Sequence, residues 1–322
     1  MKITDIKVID FTQNHVTEAK ALVMANYEEE RIHVPTLPPI DEIPELPEFA
    51  DNGLSVAAFE GNRLVGFLCG AGVWENAWDI PGVNHVFSPM GGNAAVPKNR
   101  AKIYAAMYQA VSKKWANAGA ASHGISLYAH DKEVQEQLFR YGFGMRCIDA
   151  IRRVEDIDIL TLDGYRFLEP EPDEVLEILP LENMLKAGFA ESPTFMYKEP
   201  GDEKGFMEAF HDCNSIYTVA KYEGKIIAFI RAERDGETFI KDLPGYIHIN
   251  GVYCLPEHRG KGINQSLLCL LVQNLRRLGY THLGVDYESI NPFAYGFWQK
   301  HFTSYTHSVV RRIDENTMED KI

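Results

Sequence analysis

Between Ile247 and Leu278 the chain changes its hydrophobic period once, and that change limits what it can fold into. Ile247 to Leu255 is a β-rich apolar run and reads as a buried strand. Pro256 ends it, because proline has no N–H to give to a sheet ladder. Arg259-Gly260-Lys261-Gly262 follows as a glycine turn carrying two positive charges. From Ile263 onward, apolar residues recur at helical spacing through Leu267, Leu268, Leu271, Val272, Leu275 and Leu278. The order is strand, glycine turn, helix. Glycine lets a backbone approach a ligand closely. The first turn of a helix offers unpaired N–H groups at the positive end of its dipole. Together they make a site suited to a phosphate or pyrophosphate. The chain contains neither Gly-x-Gly-x-x-Gly nor Gly-x-x-x-x-Gly-Lys-Ser/Thr, so neither a dinucleotide fingerprint nor a P-loop is supported.

Composition sets the frame around that stretch. A chain of 322 residues exceeds the usual ~100–200 residues of one domain, so two domains are expected. With 45% hydrophobic and 24% charged residues there is material for two cores. A net charge of −14 disfavours nucleic acid or an anionic membrane as partner and suits a cationic acceptor. The five cysteines show no Cys-x-x-Cys and no zinc spacing, so reduced thiols in a cytoplasmic protein without a metal are expected. No apolar run is long enough for a membrane span, and Met1-Lys2-Ile3 leads into a strand-like segment rather than a signal peptide.

Two motifs carry a resemblance to a known family. Arg259-x-x-Gly262-x-Asn264 resembles the Arg/Gln-x-x-Gly-x-Gly/Ala acyl-CoA signature of the GCN5-related N-acetyltransferase (GNAT) superfamily, with Asn264 replacing the last small residue. Asn291-x-x-Ala294, followed by the aromatic stretch Phe297-Trp298 to Phe302, resembles the family's later motif. The resemblance covers roughly the last third of the chain. It implies an α/β (α+β) fold, a mixed and mostly antiparallel sheet flanked by helices. It further implies that the strand ending at Leu255 splays from the next one, Leu283 to Tyr287. Acetyl-CoA would then lie along main-chain groups of Val252, Tyr253 and Cys254. Arg259, Gly260, Lys261, Gly262, Ile263 and Asn264 would hold its pyrophosphate, and Asn291 would cap the following helix. The implied reaction is direct acetyl transfer to a primary amine, either a small molecule or a peptide amino group, by a monomer or homodimer. A CoA-binding protein without catalysis is the alternative.

The chain also repeats itself. Phe59-Glu60-Gly61 and Val65-Gly66-Phe67 match Tyr222-Glu223-Gly224 and Ile227-Ala228-Phe229, each within an expected β-hairpin. A shift of 159 residues carries Pro97 onto Pro256, Arg100 onto Arg259, Lys102 onto Lys261, His123 onto His282, Tyr128 onto Tyr287, Phe143 onto Phe302, and Arg152-Arg153 onto Arg311-Arg312. Two tandem GNAT-like domains are therefore expected, 1–157 and 158–322. In the first, Ile103 takes the place of Gly262, where its β-branched side chain is expected to fill the pyrophosphate space. That domain is read as having lost its acyl-CoA site.

Amine acetylation needs a base for the ammonium proton and, where used, an acid for the thiolate. The family's usual acid is a tyrosine in the helix after the Asn, and its place is taken by Trp298. Tyr295 and Tyr305 are the candidate replacements. For the base, strand parity puts His248 on the face of Val252, provided no β-bulge intervenes at Asn250-Gly251. An unperturbed imidazole pKa near ~6.5 suits the task. Glu288 and Asp286 are the rivals.

Overall fold

The structure, a computed structural model, describes residues 6–43, 46–157 and 162–317. The chain divides into two compact units, 1–148 with 304–322 and 149–303. Among the described residues no helix is long and apolar enough to cross a membrane.

The first unit opens with β1 (Ile6–Asp10) and α1 (Val16–His33), followed by the hairpin β2 (Ser55–Glu60) and β3 (Arg63–Cys69). Three short strands come next: β4 (Val73–Trp74), β5 (His85–Ser88) and β6 (Asn93–Ala95). Then follow α2 (Arg100–Asn117), β7 (Ser122–Tyr128), α3 (Lys132–Phe139) and β8 (Gly144–Arg153), within which the unit ends. β1, β2, β3 and β6 form one antiparallel set, and β5 pairs in parallel with β7. Met107, Val111 and Trp115 of α2 pack with Ile125 and Leu127 of β7 in the core.

The second unit continues through β9 (Tyr165–Leu168), α4 (Leu179–Phe189), α5 (Glu203–Asp212), β10 (Ile216–Tyr222), β11 (Lys225–Glu233) and β12 (Tyr246–Cys254). It closes with α6 (Ile263–Arg277), β13 (His282–Glu288) and α7 (Pro292–His301), and β14 (Thr303–Ser304) sits at the border. Its strand order is β9-β10-β11-β12-β13, antiparallel except for the parallel pair β12–β13. Leu267, Leu268, Leu271, Val272 and Leu275 of α6 are buried, which is the stripe that the sequence spacing predicts. On the other face Val175, Ile178 and Leu181 pack with Phe206, Tyr217, Val219 and Phe229.

The border departs from the one expected at 157/158. The last strand, β15 (Thr306–Arg312), belongs to the first unit, where it pairs antiparallel with β7 from Thr306↔Tyr128 to Arg312↔Ser122. Val309 lies in that unit's core. Seven ladder positions and a buried valine hold the end of the chain there, and nothing local in the sequence specifies a pairing across so long a separation.

Both units contain the same parallel element. His85–Ser88 pair with Ser122–Ile125, and Tyr246–Ile249 pair with His282–Val285, four positions in each case. In the first unit β5 ends with this pairing, whereas in the second β12 runs on beyond it.

Candidate active site

The parallel pairing of β12 with β13 ends at Ile249↔Val285, although β12 runs on to Cys254 and β13 to Glu288. Beyond that point the two strands part. The hydrogen-bond phase of β12 follows from its other edge. Leu255 N–H donates to the Ile227 carbonyl, continuing the β11 ladder. Main-chain groups alternate along a strand, so Tyr253 also faces β11, while Val252 and Cys254 face the gap. Arg259 Nε donates to the Cys254 carbonyl at 2.9 Å, which confirms that this carbonyl lies on the gap side.

A cavity of about 570 Å³ occupies the gap. Val252, Tyr253 and Cys254 line one side, Pro256, Arg259, Gly260 and Asn264 the end, and α7 with α4 the remaining walls. The turn has the expected form. Gly260 and Gly262 hold φ of +75° and +89°, in the left-handed region that glycine adopts at least cost. Gly262 is the N-cap of α6, no side chain caps that helix, and no acidic residue occupies its first turn. Its N-terminal amides therefore face the turn with a positive dipole end. Asn264 Oδ1 is buried without a hydrogen-bond partner within the protein. His258 anchors the turn through its Nδ1, 2.9 Å from Tyr165 Oη, and Lys261 Nζ reaches the same oxygen at 3.3 Å. Ile263 is buried at the start of α6. Asn291 caps α7, its Oδ1 accepting from Phe293 N–H and Ala294 N–H, and it also lines the cavity.

Cys254 lines the cavity as well, and burial pushes its thiol up to about 11 against the lowering effect of Arg259. At neutral pH it is a thiol and a poor nucleophile, so it offers no covalent relay.

The candidate proton-transfer residues are scattered. Trp298 lines the cavity and packs edge-to-face on Phe302 and Phe297. Tyr295 lies one position beyond the cavity-lining Ala294 on α7, and its ring packs against Tyr287. Tyr305 is 1% exposed and belongs to the first unit, where its carbonyl accepts from Ala129 N–H. Glu288 ends β13.

His248 is placed by a bulge. The β11–β12 register runs from Arg231↔Gly251 to Ala232↔Ile249, which leaves Asn250 as an extra residue. Parity across Asn250 is thereby inverted. His248 shares a face with Gly251, Tyr253, Arg231 and Glu233, not with Val252. The face expected from uninterrupted alternation is corrected accordingly. Buried polar groups hold the bulge. Arg231 donates to the Asn250 carbonyl at 3.2 Å and pairs with Glu182 at 3.2 Å, and Asn250 Nδ2 donates to Glu233 at 3.1 Å. Burial raises the Glu182 carboxyl, with Arg231 opposing. His248 itself is enclosed, with Nδ1 2.8 Å from Tyr246 Oη and Nε2 2.8 Å from Asp286 Oδ1.

The first unit shows the same parts closed. Arg100 Nε donates to the Ala95 carbonyl at 3.2 Å, five residues back, as Arg259 does to Cys254. Here the edge of β6 is filled from within. Asn26 of α1 accepts from Ala95 N–H and donates to the Ala95 carbonyl, both at 3.1 Å. The Arg100 guanidinium is taken up by Glu29 and Asp131. Only residues 96–99 separate β6 from α2, whereas 255–262 separate β12 from α6. Ile103 therefore lies within the first turn of α2, buried against Gly66, and lines a cavity of about 300 Å³ with Pro97, Lys98 and Asn99 of that shorter connection. Asn26 could not have been found from sequence, because its role depends on where α1 docks.

Residues 182–302, within the second unit, match the family described as "Acetyltransferase (GNAT) family". A GCN5-related N-acetyltransferase from Sphaerobacter thermophilus superposes with a TM-score of 0.58 at 11% identity, covering 96% of each chain. The fungal multi-domain GH3 β-N-acetylglucosaminidase contains a region described as a GCN5-related glucosamine N-acetyltransferase. It superposes with a TM-score of 0.52 at 13% identity, covering 95% of this chain and 38% of that one. At such identities the likeness is one of fold. No curated protein matches the chain. The fold is the one that these solved acetyltransferase structures share. More particularly, residues 182–302 resemble the GNAT superfamily.

Proposed function

We propose that the protein is an acyl-CoA-dependent N-acyltransferase, moving acetyl from acetyl-CoA to a primary amine. The observation that carries this reading is the open strand edge at Val252 and Cys254, which runs directly into a glycine turn and an uncapped helix start. Acetyl-CoA, when bound, supplies the activated acyl group as a thioester. The Val252 and Cys254 main-chain groups offer the amides of the pantetheine arm what β13 no longer does. Asn250 to Cys254 spans about 13 Å at ~3.3 Å per residue. The turn at Arg259 to Asn264 receives the pyrophosphate at the open end, so the thioester end lies toward the bulge. An N–H there stabilises the oxyanion that forms on attack. The side chains around the bulge set four carboxylates, Glu182, Glu233, Asp235 and Asp286, against the cations Arg231 and Lys241, and that acidic excess favours a cationic amine. We further propose that the two units descend from one domain and that the first is structural, its strand edge held by Asn26.

The test is calorimetric titration with acetyl-CoA together with a CoA-release assay over a panel of primary amines. One site per chain and amine-dependent release support the reading, and absence of acetyl-CoA binding would falsify it. Trp298, a residue without a usable acid proton at the cavity wall, favours a second reading, a CoA-binding protein without turnover. That reading predicts binding with no release for any amine.

A further inference from the structure

We infer that Asp286 is the catalytic base and that His248 is the positioning residue that holds its carboxylate and shares its proton. The inference rests on the acyltransferase reading above. Asp286 is the first residue of β13 beyond the last parallel pair, so it stands at the closed end of the gap, opposite the Asn250 bulge. That is the end away from the pyrophosphate turn, where the thioester must lie. Its side chain is 35% exposed, whereas that of His248 is 2% exposed. Asp286 is therefore open to solvent and the imidazole is not, although neither side chain lines the cavity of about 570 Å³ itself.

The inverted parity puts both residues on one face. Gly284 pairs with His248, so Gly284 and Asp286 present their side-chain positions to the same side of the sheet as His248, Gly251 and Glu233. This is the face on which α4 packs, since Glu182 lies 3.6 Å from where a Gly251 Cβ would stand. Gly284 is required there, because a Cβ would fall 2.8 Å from His248 Nδ1 and closer still to Tyr246.

His248 Nε2 lies 2.8 Å from Asp286 Oδ1 and 3.1 Å from the Asp286 backbone nitrogen, and a single ring nitrogen serves one of them at a time, as donor to the first or acceptor from the second. We take the tautomer with the ring proton on Nε2, which donates to the Asp286 carboxylate. Tyr246 Oη fixes the ring from behind at Nδ1. The other ionisable groups near the pair are Glu233, opposite His248 on β11, and Glu237 of the β11–β12 connection, which itself has Asp235 and Lys241 as neighbours. Burial raises the Glu237 carboxyl, and the Asp286 side chain, 35% exposed, is the carboxylate that reaches solvent.

In the reaction the Asp286 carboxylate takes one proton from R–NH3⁺. The freed nitrogen lone pair forms the C–N bond at the thioester carbonyl, and the C–S bond breaks with its electrons on sulfur. The second nitrogen proton goes to the thiolate, and the first returns from Asp286 to solvent. Amide, CoA thiol and one proton are the products, so atoms and charge balance.

The test compares two small acceptors of nearly the same shape, ethylamine and methoxyamine, with acetyl-CoA. Ethylamine is an ammonium ion at neutral pH, whereas methoxyamine is already a free base. Asp286→Asn should lower kcat/KM for ethylamine by roughly 10²–10⁴-fold, the size of a lost general base. The same variant should stay within a few-fold of the unaltered protein for methoxyamine, and Asp286→Glu should recover part of the ethylamine rate. Independently of turnover, the ligand-free protein should show a downfield ring N–H proton NMR signal from His248 that Asp286→Asn abolishes. Equal losses for both amines, or no loss for either, would overturn the assignment. So would an unaltered protein that binds acetyl-CoA yet acetylates neither amine. Failure to bind acetyl-CoA would instead overturn the reading on which the inference rests.

Discussion

Gly262 offers the sharpest mutational test of the phosphate turn. Its φ of +89° lies in the left-handed region and it is the N-cap of α6. An L side chain there costs about 1–2 kcal/mol in backbone strain. A β-branched one also crowds the uncapped amides that follow. For a unit of this size that strain lowers Tm by roughly 2–4 °C per kcal/mol. Binding should suffer far more than folding. Each charge-assisted hydrogen bond to the pyrophosphate is worth about 1.5–3 kcal/mol. Losing two of them weakens acetyl-CoA binding by roughly 10²–10⁴-fold. The assay is calorimetric titration of Gly262→Ile, with Gly224→Ile as the strain-matched control. Gly224 has φ of +82° at the tip of the β10–β11 hairpin, and nothing lies within 4 Å of the position its Cβ would take. Both variants should lose similar stability, and only Gly262→Ile should lose acetyl-CoA. A folded Gly262→Ile protein that binds acetyl-CoA within threefold of the unaltered chain would refute the argument, as would an equal loss in Gly224→Ile.

Three further outcomes follow from buried groups. Asn26→Leu leaves the Ala95 N–H buried without a partner and should cost about 1–3 kcal/mol, read as a lower denaturation midpoint. It should not create a second acetyl-CoA site, because Arg100 stays paired and the turn stays short. Arg231→Met strips the ion pair from buried Glu182 and the donor from the Asn250 carbonyl; a loss of about 3–5 kcal/mol is expected, and a change under ~1 kcal/mol would show that the bulge needs no such support. Burial depresses His85, His123 and His307 of the first unit to about 4. A depressed folded-state value means that the unfolded chain binds more protons below its ordinary ~6.5, so this stability is present above that pH and lost as pH falls toward 4. Denaturant midpoints should fall steadily between pH 6.5 and 4, and a flat profile would contradict the burial of these rings.

What the sequence revealed and what it hid differ in range. The strand at Ile247, the glycine turn and the α6 stripe are local patterns, each set by residues within one or two turns of each other. The Asn291 cap and both β-hairpins are local in the same sense. The hidden features are all contacts across long separations. Thr306–Arg312 forms a strand whose pairing with β7 up to Tyr128 is fixed only by the folded core around Val309. The Asn250 bulge was foreseeable from Gly251 as a risk to parity, yet its occurrence depends on Arg231 and Glu233 on the neighbouring strand. Gapless alignment of the two halves put Ile103 on Gly262, but the shorter 96–99 connection moves the start of α2 and with it the side chain's surroundings. Asn26 has no signature at all, since an asparagine in a helix gains its meaning from the strand edge it happens to meet.

The central claim is that acetyl-CoA lies along the open edge of β12 with its pyrophosphate on the turn before α6. Amide hydrogen exchange with and without acetyl-CoA reads this residue by residue. The predicted result is new protection at the Val252 and Cys254 amides and across Gly260 to Asn264, with no change at Ala95 or at the start of α2. Protection at Ala95 and Arg100 instead, or unchanged exchange at Val252 and Cys254 under saturating acetyl-CoA, would contradict it.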